Sequence, residues 1–204
     1  NPTANMNTST GDVKPLYNGN ISRMYTWLQG LDGLGMNYRY DQLNRLKKQQ
    51  AFAITNGTQA LLADNAYGME LTYDGSGNII TLHRNGRVGN PKMDALEYHY
   101  LDAVNGVIPD MANPPGNATN RLGYVDDETG YTPMYPEVNP INGTVTDIDD
   151  QSAGNYAYDA IGNLIKDISE NIDKIEWNLQ NKITAIKKTT GFDLQFDYDA
   201  LGNR

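Results

Sequence analysis

The sequence predicts an all-β fold, an antiparallel meander of twisted β-hairpins in one open curved sheet. Three observations predict it. A Tyr-Asp dipeptide recurs along the chain and is followed each time by turn-forming residues. Apolar and polar residues alternate ahead of the dipeptide, which is the period of a β-strand. The chain also contains 14 Tyr but only 3 Phe, which is typical of sheets with one solvated face.

The recurring dipeptide marks the end of a strand and the start of a turn. An Asp side chain accepts backbone N–H bonds in such a turn, and a Gly or Asn three residues later supplies the positive φ that closes a bulged hairpin. A further copy places Leu101 after Tyr100, where the Asp is expected. The predicted turn residues are Tyr40, Asp41 and Asn44; Tyr73, Asp74 and Gly77; Tyr158, Asp159 and Gly162; and Tyr198, Asp199 and Gly202.

The residues before each turn predict which face of the strand is solvated. Met36, Tyr38 and Tyr40 alternate with Asn37 and Arg39, and the same alternation precedes the later turns. We therefore expect Asn37 and Arg39 on the solvent face. Helical character is confined to residues 59–65, where a short helix is the minor alternative to extended chain.

Composition divides the chain into four segments. Residues 1–15 read as a polar linker, and residues 16–105 and 155–204 carry the repeats, the latter truncated at its C-terminal end. Between them, residues 106–154 form a Pro-rich insertion or degenerate repeat, in which residues 120–127 still resemble a returning strand. Long loops on repetitive scaffolds often carry function, but a tolerated surface insertion is the favoured interpretation.

Charge and composition exclude several classes of partner. The net charge is −9, which argues against nucleic acid and anionic membranes because both need clustered Lys and Arg. No apolar run is long enough for membrane insertion. The chain has no Cys, so a disulfide framework and a Cys-based metal site are excluded.

Candidate binding residues are few. Trp27, Trp177 and Tyr156 could stack on sugar rings, although cross-strand packing is the more common role of such rings. Acidic clusters at residues 126–128 and 147–150 could bind Ca²⁺, but they lack the spacing of an EF-hand loop, and solvated loop charge is favoured.

No catalytic or metal-binding signature is recognisable. His83 and His99 have no neighbours at ligand spacing, so we predict neither a metal site nor a cofactor. A nucleophile motif of the Gly-x-Ser-x-Gly type is absent. A pair of carboxylates for glycoside cleavage cannot be recognised from sequence, which leaves a hydrolase as the weakest alternative.

The repeats resemble the YD repeats of bacterial Rhs proteins, which also occur in toxin-complex components and teneurins. The matching segments are YDQLNRL, YDGSGNI, YDAIGNLIKD and YDALGNR, and the segment Tyr17 to Trp27 is similar to one found in such proteins. The resemblance covers residues 16 to 204 apart from the insertion. The chain lacks the Pro-x-x-x-x-Asp-Pro-x-Gly core motif that marks the end of the shell in that family.

The resemblance implies a function without catalysis. It implies a structural segment of a large secreted or cell-surface bacterial protein, which is part of a shell around a toxin or effector domain. Its partners are then the neighbouring repeats of the full-length protein and the enclosed domain. A carbohydrate-binding surface module, with surface glycans as ligands of exposed aromatic rings, is the alternative. We expect a segment of this length to form an open sheet with an edge available for pairing.

Overall fold

The computed structural model confirms the all-β fold. It describes residues 15–89, 91–102, 106, 118–128 and 151–204. Most of the predicted linker, and the greater part of the Pro-rich insertion with its acidic cluster at residues 147–150, lie outside these residues. Residues 118–127 of the insertion form a strand, which confirms the strand predicted at residues 120–127.

Thirteen strands occur among the described residues. Most are short, as expected where turn residues recur so often, whereas β3, β7 and β8 have 10, 11 and 10 residues. The strands are β1 (Arg23–Thr26), β2 (Gly33–Tyr40), β3 (Leu46–Thr55), β4 (Thr58–Leu61), β5 (Met69–Tyr73), β6 (Ile79–Asn85), β7 (Lys92–Asp102), β8 (Ala118–Asp127), β9 (Tyr156–Tyr158), β10 (Leu164–Asp167), β11 (Ile172–Trp177), β12 (Ile183–Lys188) and β13 (Leu194–Gln195).

Within the described residues the strands form two antiparallel meanders and not the single sheet that the sequence predicted. One sheet has the order β1-β2-β3-β5-β6-β7-β8, with β4 also paired to β3, and the other has the order β13-β12-β11-β10-β9. Strands adjacent in sequence are therefore adjacent in nearly every case, which is the arrangement that short hairpin connections impose. Within the described residues neither sheet closes into a barrel.

The described residues group into two compact units. The first contains those within 1–73, 81–96 and 127–145, and the second contains those within 74–80, 97–126 and 146–204. Each unit has its own buried apolar residues. In the first unit these include Phe52, Ile54 and Leu71, and in the second they include Tyr100 and Val125.

In the first unit a buried aromatic ring lies directly on a glycine backbone. A Cβ at Gly35 would lie 2.1 Å from Cζ of Phe52, so no side chain fits at this position. Tyr25 contacts the same ring edge to face, at 5.8 Å between ring centres. Glycine in the strand thus makes room for the largest buried side chain of this unit.

The expected solvent face of β2 is partly covered, and the prediction for Asn37 is wrong. Asn37 is only 2% exposed and accepts a 2.6 Å hydrogen bond from Nε of Arg23. Strand β1 pairs with β2, so the Arg23 side chain reaches across to this face and its guanidinium lies over Phe52. Arg39 is exposed, as predicted.

In the second unit Tyr100 is the centre of a small core. Ile80, Tyr98, Ala118 and Leu122 pack against it. Burial raises the pKa of the Tyr100 hydroxyl to about 12, because the phenolate would lose its hydration.

Extended chain replaces the helical alternative at residues 59–65. Residues 59–61 belong to β4, and Ala63–Asn65 form a single 3-10 turn in which Asp64 has a φ of 56°. That left-handed residue ends the turn before a helix can begin. Within the described part of the chain, no helix is long and apolar enough to cross a membrane.

Candidate functional site: the tyrosine-aspartate turns

The turn at Asp159 shows how the repeat works. The Asp159 Oδ1 atom accepts the backbone N–H groups of Ile161 (3.0 Å) and Asn163 (2.8 Å), and Oδ2 accepts the Asn163 side chain (3.1 Å). The backbone closes the hairpin with bonds from Asp159 N to Asn163 O and from Gly162 N to Asp159 O. Gly162 has a φ of 97°, the region that favours glycine.

The other predicted turns repeat this geometry, so the sequence prediction of hairpins is confirmed. Asp41, Asp74 and Asp199 each accept the backbone N–H groups two and four residues later, at 2.8 to 2.9 Å. Gly77, Gly202 and Asn44 have φ values of 96°, 82° and 64°. Asn therefore replaces Gly at one turn, as expected from its tolerance of the left-handed region.

Hydrogen bonds lower the pKa of three of these carboxylates, those of Asp41, Asp159 and Asp199. Loss of hydration opposes the shift at Asp159, but the backbone and side-chain bonds from Asn163 outweigh it and hold the pKa of Asp159 below its ordinary value. At Asp199 the Asn203 side chain is the largest cause of a lowered pKa. The turn is therefore built for the ionised carboxylate.

The sequence also predicts strands on both sides of residues 178–181, and β11 and β12 confirm them. The turn between them is of the same kind as the others, but it was not assigned to the repeat because it begins with Asn. Asn178 Oδ1 accepts the backbone N–H groups of Gln180 (2.9 Å) and Lys182 (3.0 Å), and Asn181 has a φ of 56°. The sequence does contain a sign of this turn, because Trp177 precedes Asn178 in the same way that Tyr precedes Asp in the other turns.

The copy at Tyr100 also has an acidic turn residue, placed one position later than the sequence pattern suggests. Asp102 N donates to Gly106 O at 2.7 Å, and Gly106 N donates to Asp102 Oδ1 at 2.8 Å. These are the same two bonds that join the first and fifth residues of the other turns. Leu101, which we assigned to the Asp position, is buried instead.

The aromatic residue before each turn bonds to the backbone of the preceding hairpin. The hydroxyl of Tyr73 donates to Leu46 O (2.6 Å) and that of Tyr198 to Ile183 O (2.8 Å). Trp177 Nε1 donates to Leu164 O (2.8 Å). In all three cases the acceptor lies five residues after the Asp or Asn of the earlier turn.

Three more tyrosines follow this rule or a variant of it. Tyr100 is hydrogen-bonded to the backbone of Ile79, again five residues after a turn Asp. The hydroxyl of Tyr40 donates to Ile21 O (3.0 Å), two residues before β1, and that of Tyr158 donates to Leu122 O (2.9 Å) on β8. We call these six contacts the aromatic ladder, defined by Tyr40, Tyr73, Tyr100, Tyr158, Trp177 and Tyr198.

A cation covers the ring at three steps of the ladder. Arg45 lies 4.5 Å from the centre of the Tyr73 ring, Lys182 lies 5.2 Å from that of Tyr198, and Arg121 lies 5.9 Å from that of Tyr158. Each cation immediately precedes the carbonyl that accepts the hydroxyl. Each of these rings therefore makes two contacts with the preceding hairpin or strand, a cation over its face and a hydrogen bond from its hydroxyl.

The three rings predicted as ligand-binding residues lie in separate local contacts. Trp177 belongs to the ladder, and the Tyr156 hydroxyl accepts a 2.9 Å bond from Gln151. Both therefore serve the packing of the second unit. Trp27 differs, because it is 58% exposed and stacks on Tyr25 at 5.6 Å.

The tips of the turns expose apolar side chains. Leu43 is 67% exposed, Ile161 is 76% exposed and Leu201 is 88% exposed, and each follows its turn Asp by two residues. Leu179 at the Asn178 turn is also fully exposed. These side chains bury little apolar area within the described residues, so they are available to a neighbouring surface.

A shallow groove of about 420 Å³ lies on the first unit. Arg39, Lys47 and Lys48 line it together with Glu70 and His83. Lys48 pairs with Glu70, whereas Arg39 and Lys47 have no ion pair among the described residues. The groove therefore offers hydrogen-bond donors in an otherwise acidic protein.

Both histidines have carboxylate neighbours that the sequence analysis did not foresee. His83 Nε2 lies 2.5 Å from an oxygen of Glu128. His99 Nε2 lies 3.2 Å from Asp126 and 3.8 Å from Glu97. The sequence could have predicted that Glu97 lies beside His99, because residues two apart on a strand share a face. Nothing near Asp126 or Glu128 in the sequence indicates that either carboxylate contacts a histidine.

The chain matches no protein-family model, and it matches no curated protein.

Proposed function

We propose that this chain is a non-catalytic structural segment of a large secreted or cell-surface bacterial repeat protein of the YD-repeat type. In this proposal its hairpins form part of the wall of a shell that encloses a toxin or effector domain. Its partners are the neighbouring repeats of the same protein and the enclosed domain.

The observation that carries the proposal is the aromatic ladder. The residues that make the repeat recognisable, Tyr and Asp, are both used in internal hydrogen bonds. The Asp carboxylate bonds within its own turn, and the Tyr hydroxyl joins its hairpin to the one before it. A rule that links each hairpin to its predecessor extends to any number of hairpins, as in other repeat proteins. This use of the motif favours a scaffold over a binding or catalytic surface.

The exposed turn tips support the same role. Leu43, Ile161 and Leu201 present apolar surface to solvent at equivalent positions of their turns. A free-standing domain gains nothing from such side chains, whereas a wall made of adjacent repeats covers them.

Protease protection of the full-length protein tests the proposal. We would read the coding sequence on both sides of this segment, express the whole protein, and treat it with trypsin. We expect further Tyr-Asp hairpins beside this segment and a domain of different composition that resists trypsin until the wall is unfolded. A full-length protein with no further hairpins, or with every other domain cleaved at once, would contradict the proposal.

Carbohydrate binding is the second candidate, and Trp27 is the observation that favours it. The indole is exposed and is supported from behind by Tyr25, as in platforms that stack on sugar rings. A glycan array with this chain and its Trp27→Ala variant tests it. Binding that is lost in Trp27→Ala but kept in Tyr17→Ala supports the candidate, because Tyr17 is an exposed ring without a stacking partner among the described residues. No binding to any glycan removes it.

A further inference from the structure

Three metal-ligating side chains converge on one face of the second unit. Glu97 and His99 lie two residues apart on β7 and so share a face, and Asp126 lies on β8. One ligand atom from each of the three lies within 4.8 Å of the other two. The side chains are 43%, 21% and 39% exposed, respectively, so an ion can reach them from solvent.

The separations suit a small ion. Ligands about 2.1 Å from a tetrahedral ion lie roughly 3.4 Å from one another. His99 Nε2 is 3.2 Å from Asp126 Oδ1 and 3.8 Å from Glu97 Oε2. The two carboxylates are more exposed than the imidazole, so their side chains are free to turn toward an ion.

The imidazole is held in position. The His99 ring stacks on Tyr124 with 4.1 Å between ring centres and 5° between the ring planes. Tyr124 lies two residues before Asp126 on β8 and so supports the ring from the same strand that supplies the carboxylate. Fixing the plane of a ligand in advance lowers the entropic cost of binding an ion.

The local charge favours a cation. Among the described residues, neither Glu97 nor Asp126 forms an ion pair with Lys or Arg, and His99 is the ion-pair partner of both. Two carboxylates therefore share one imidazole, and the group carries net negative charge even when the ring is protonated. At His83 a single carboxylate is present instead, which makes that pair the natural comparison.

We propose that Glu97, His99 and Asp126 bind one divalent transition-metal ion of the Zn²⁺ class. The imidazole nitrogen selects against Ca²⁺ and Mg²⁺, which prefer oxygen ligands alone, and favours Zn²⁺ or Co²⁺. Three protein ligands leave a coordination position for water or for a ligand atom from another molecule. The site does not depend on the function proposed above.

Titration calorimetry of the untagged chain with Zn²⁺ at pH 7.5, repeated with Co²⁺, tests the site. We expect saturable binding of one ion, weakened at least tenfold in His99→Gln and in Asp126→Asn. The matched control is His83→Gln, which removes the other histidine and is expected to bind within twofold of the wild-type chain. Absence of saturable binding, or equal weakening in His83→Gln and His99→Gln, overturns the proposal.

A second measurement needs no variant and so does not depend on the folding of one. Substoichiometric Co²⁺ added to the isotope-labelled wild-type chain is expected to perturb amide signals most strongly at residues 97–99 and 124–126. Perturbation centred on any other residues, or full reversal by an equal concentration of Mg²⁺, contradicts a site made by these three side chains.

Discussion

Removing a single hydroxyl from the aromatic ladder tests the structural role of the repeat. Tyr158→Phe keeps the ring, which packs beneath Arg121, but loses the 2.9 Å bond to the Leu122 carbonyl. A hydrogen bond of this kind contributes about 0.5–1.5 kcal/mol net, and more when its partner is left unsatisfied. Because the Tyr158 side chain is only half-buried and water can reach the freed carbonyl, we expect a loss of about 1 kcal/mol in the free energy of unfolding.

Urea unfolding followed by tryptophan fluorescence measures this loss. The chain has two Trp, so a Trp27→Phe background leaves Trp177 as the single reporter. Trp177 belongs to the same unit as Tyr158, so its signal follows the part of the protein that the substitution affects. For a chain of this size, about 1 kcal/mol also corresponds to a fall of roughly 2–4 °C in the midpoint of thermal unfolding.

Tyr17→Phe in the same background is the control. Tyr17 is 96% exposed, and its hydroxyl forms no hydrogen bond among the described residues. We expect its stability to match the background within about 0.3 kcal/mol, as for most surface substitutions. If Tyr158→Phe also unfolds at the background urea concentration, the hydroxyl-to-carbonyl bond does not join the hairpins, and the reasoning from the ladder fails.

Four further predictions concern the turns and the buried tyrosine. Gly162→Ala should lower the free energy of unfolding in urea by about 1 kcal/mol, because the φ of 97° at Gly162 disfavours a side chain while no atom lies close enough to clash with a Cβ. Gly162→Asn should lose less stability, because Asn tolerates positive φ. Equal losses would show that backbone strain is not the cause. Asp159→Ala should lower the thermal midpoint by several degrees and Asp159→Asn by less, because an amide oxygen still accepts both backbone N–H groups, as at Asn178. The hydrogen bonds that lower the pKa of Asp159 stabilise the fold above the ordinary Asp pKa near 4, and this contribution is lost as the pH falls through the folded-state pKa. The advantage of wild type over Asp159→Asn in urea unfolding should therefore shrink in acid, and an advantage that does not change with pH refutes this. Burial raises the pKa of Tyr100 to about 12, so its contribution to the free energy of unfolding is complete below pH 10 and is lost as the pH rises toward 12. Over that interval we expect Tyr100→Phe to lose less stability than wild type, by roughly 1–2 kcal/mol after allowance for solvent screening. Equal losses in the two proteins would exclude this residue as the cause.

The turns could be predicted because their chemistry is local. An Asp carboxylate, two free positions and a residue tolerant of positive φ all lie within six consecutive residues, so the hydrogen bonds form without help from the rest of the chain. The turn at Asn178 follows the same rule, and only the amide in place of the carboxylate kept it from being assigned to the repeat. A search that allowed Asn in the first position and Trp before it would have assigned it.

Contacts between hairpins could not be predicted in the same way. Tyr158 bonds to Leu122, which lies within the insertion 36 residues earlier in the chain, and no property of either residue identifies the other as its partner. The burial of Asn37 has the same origin, because it depends on Arg23 of the neighbouring strand. For the group around His99, alternation along β7 places Glu97 on the same face, but Asp126 comes beside them only through the folding of β8.

The strands, the reversals between them and the all-β class could be read from the amino-acid order, because each depends on residues a few positions apart. The folded chain was needed to learn which carbonyl each tyrosine reaches, which polar side chains are covered, and which carboxylates lie beside a histidine. These contacts depend on how distant strands pair, and the alternation along one strand shows which face a side chain takes but not which residue lies opposite it.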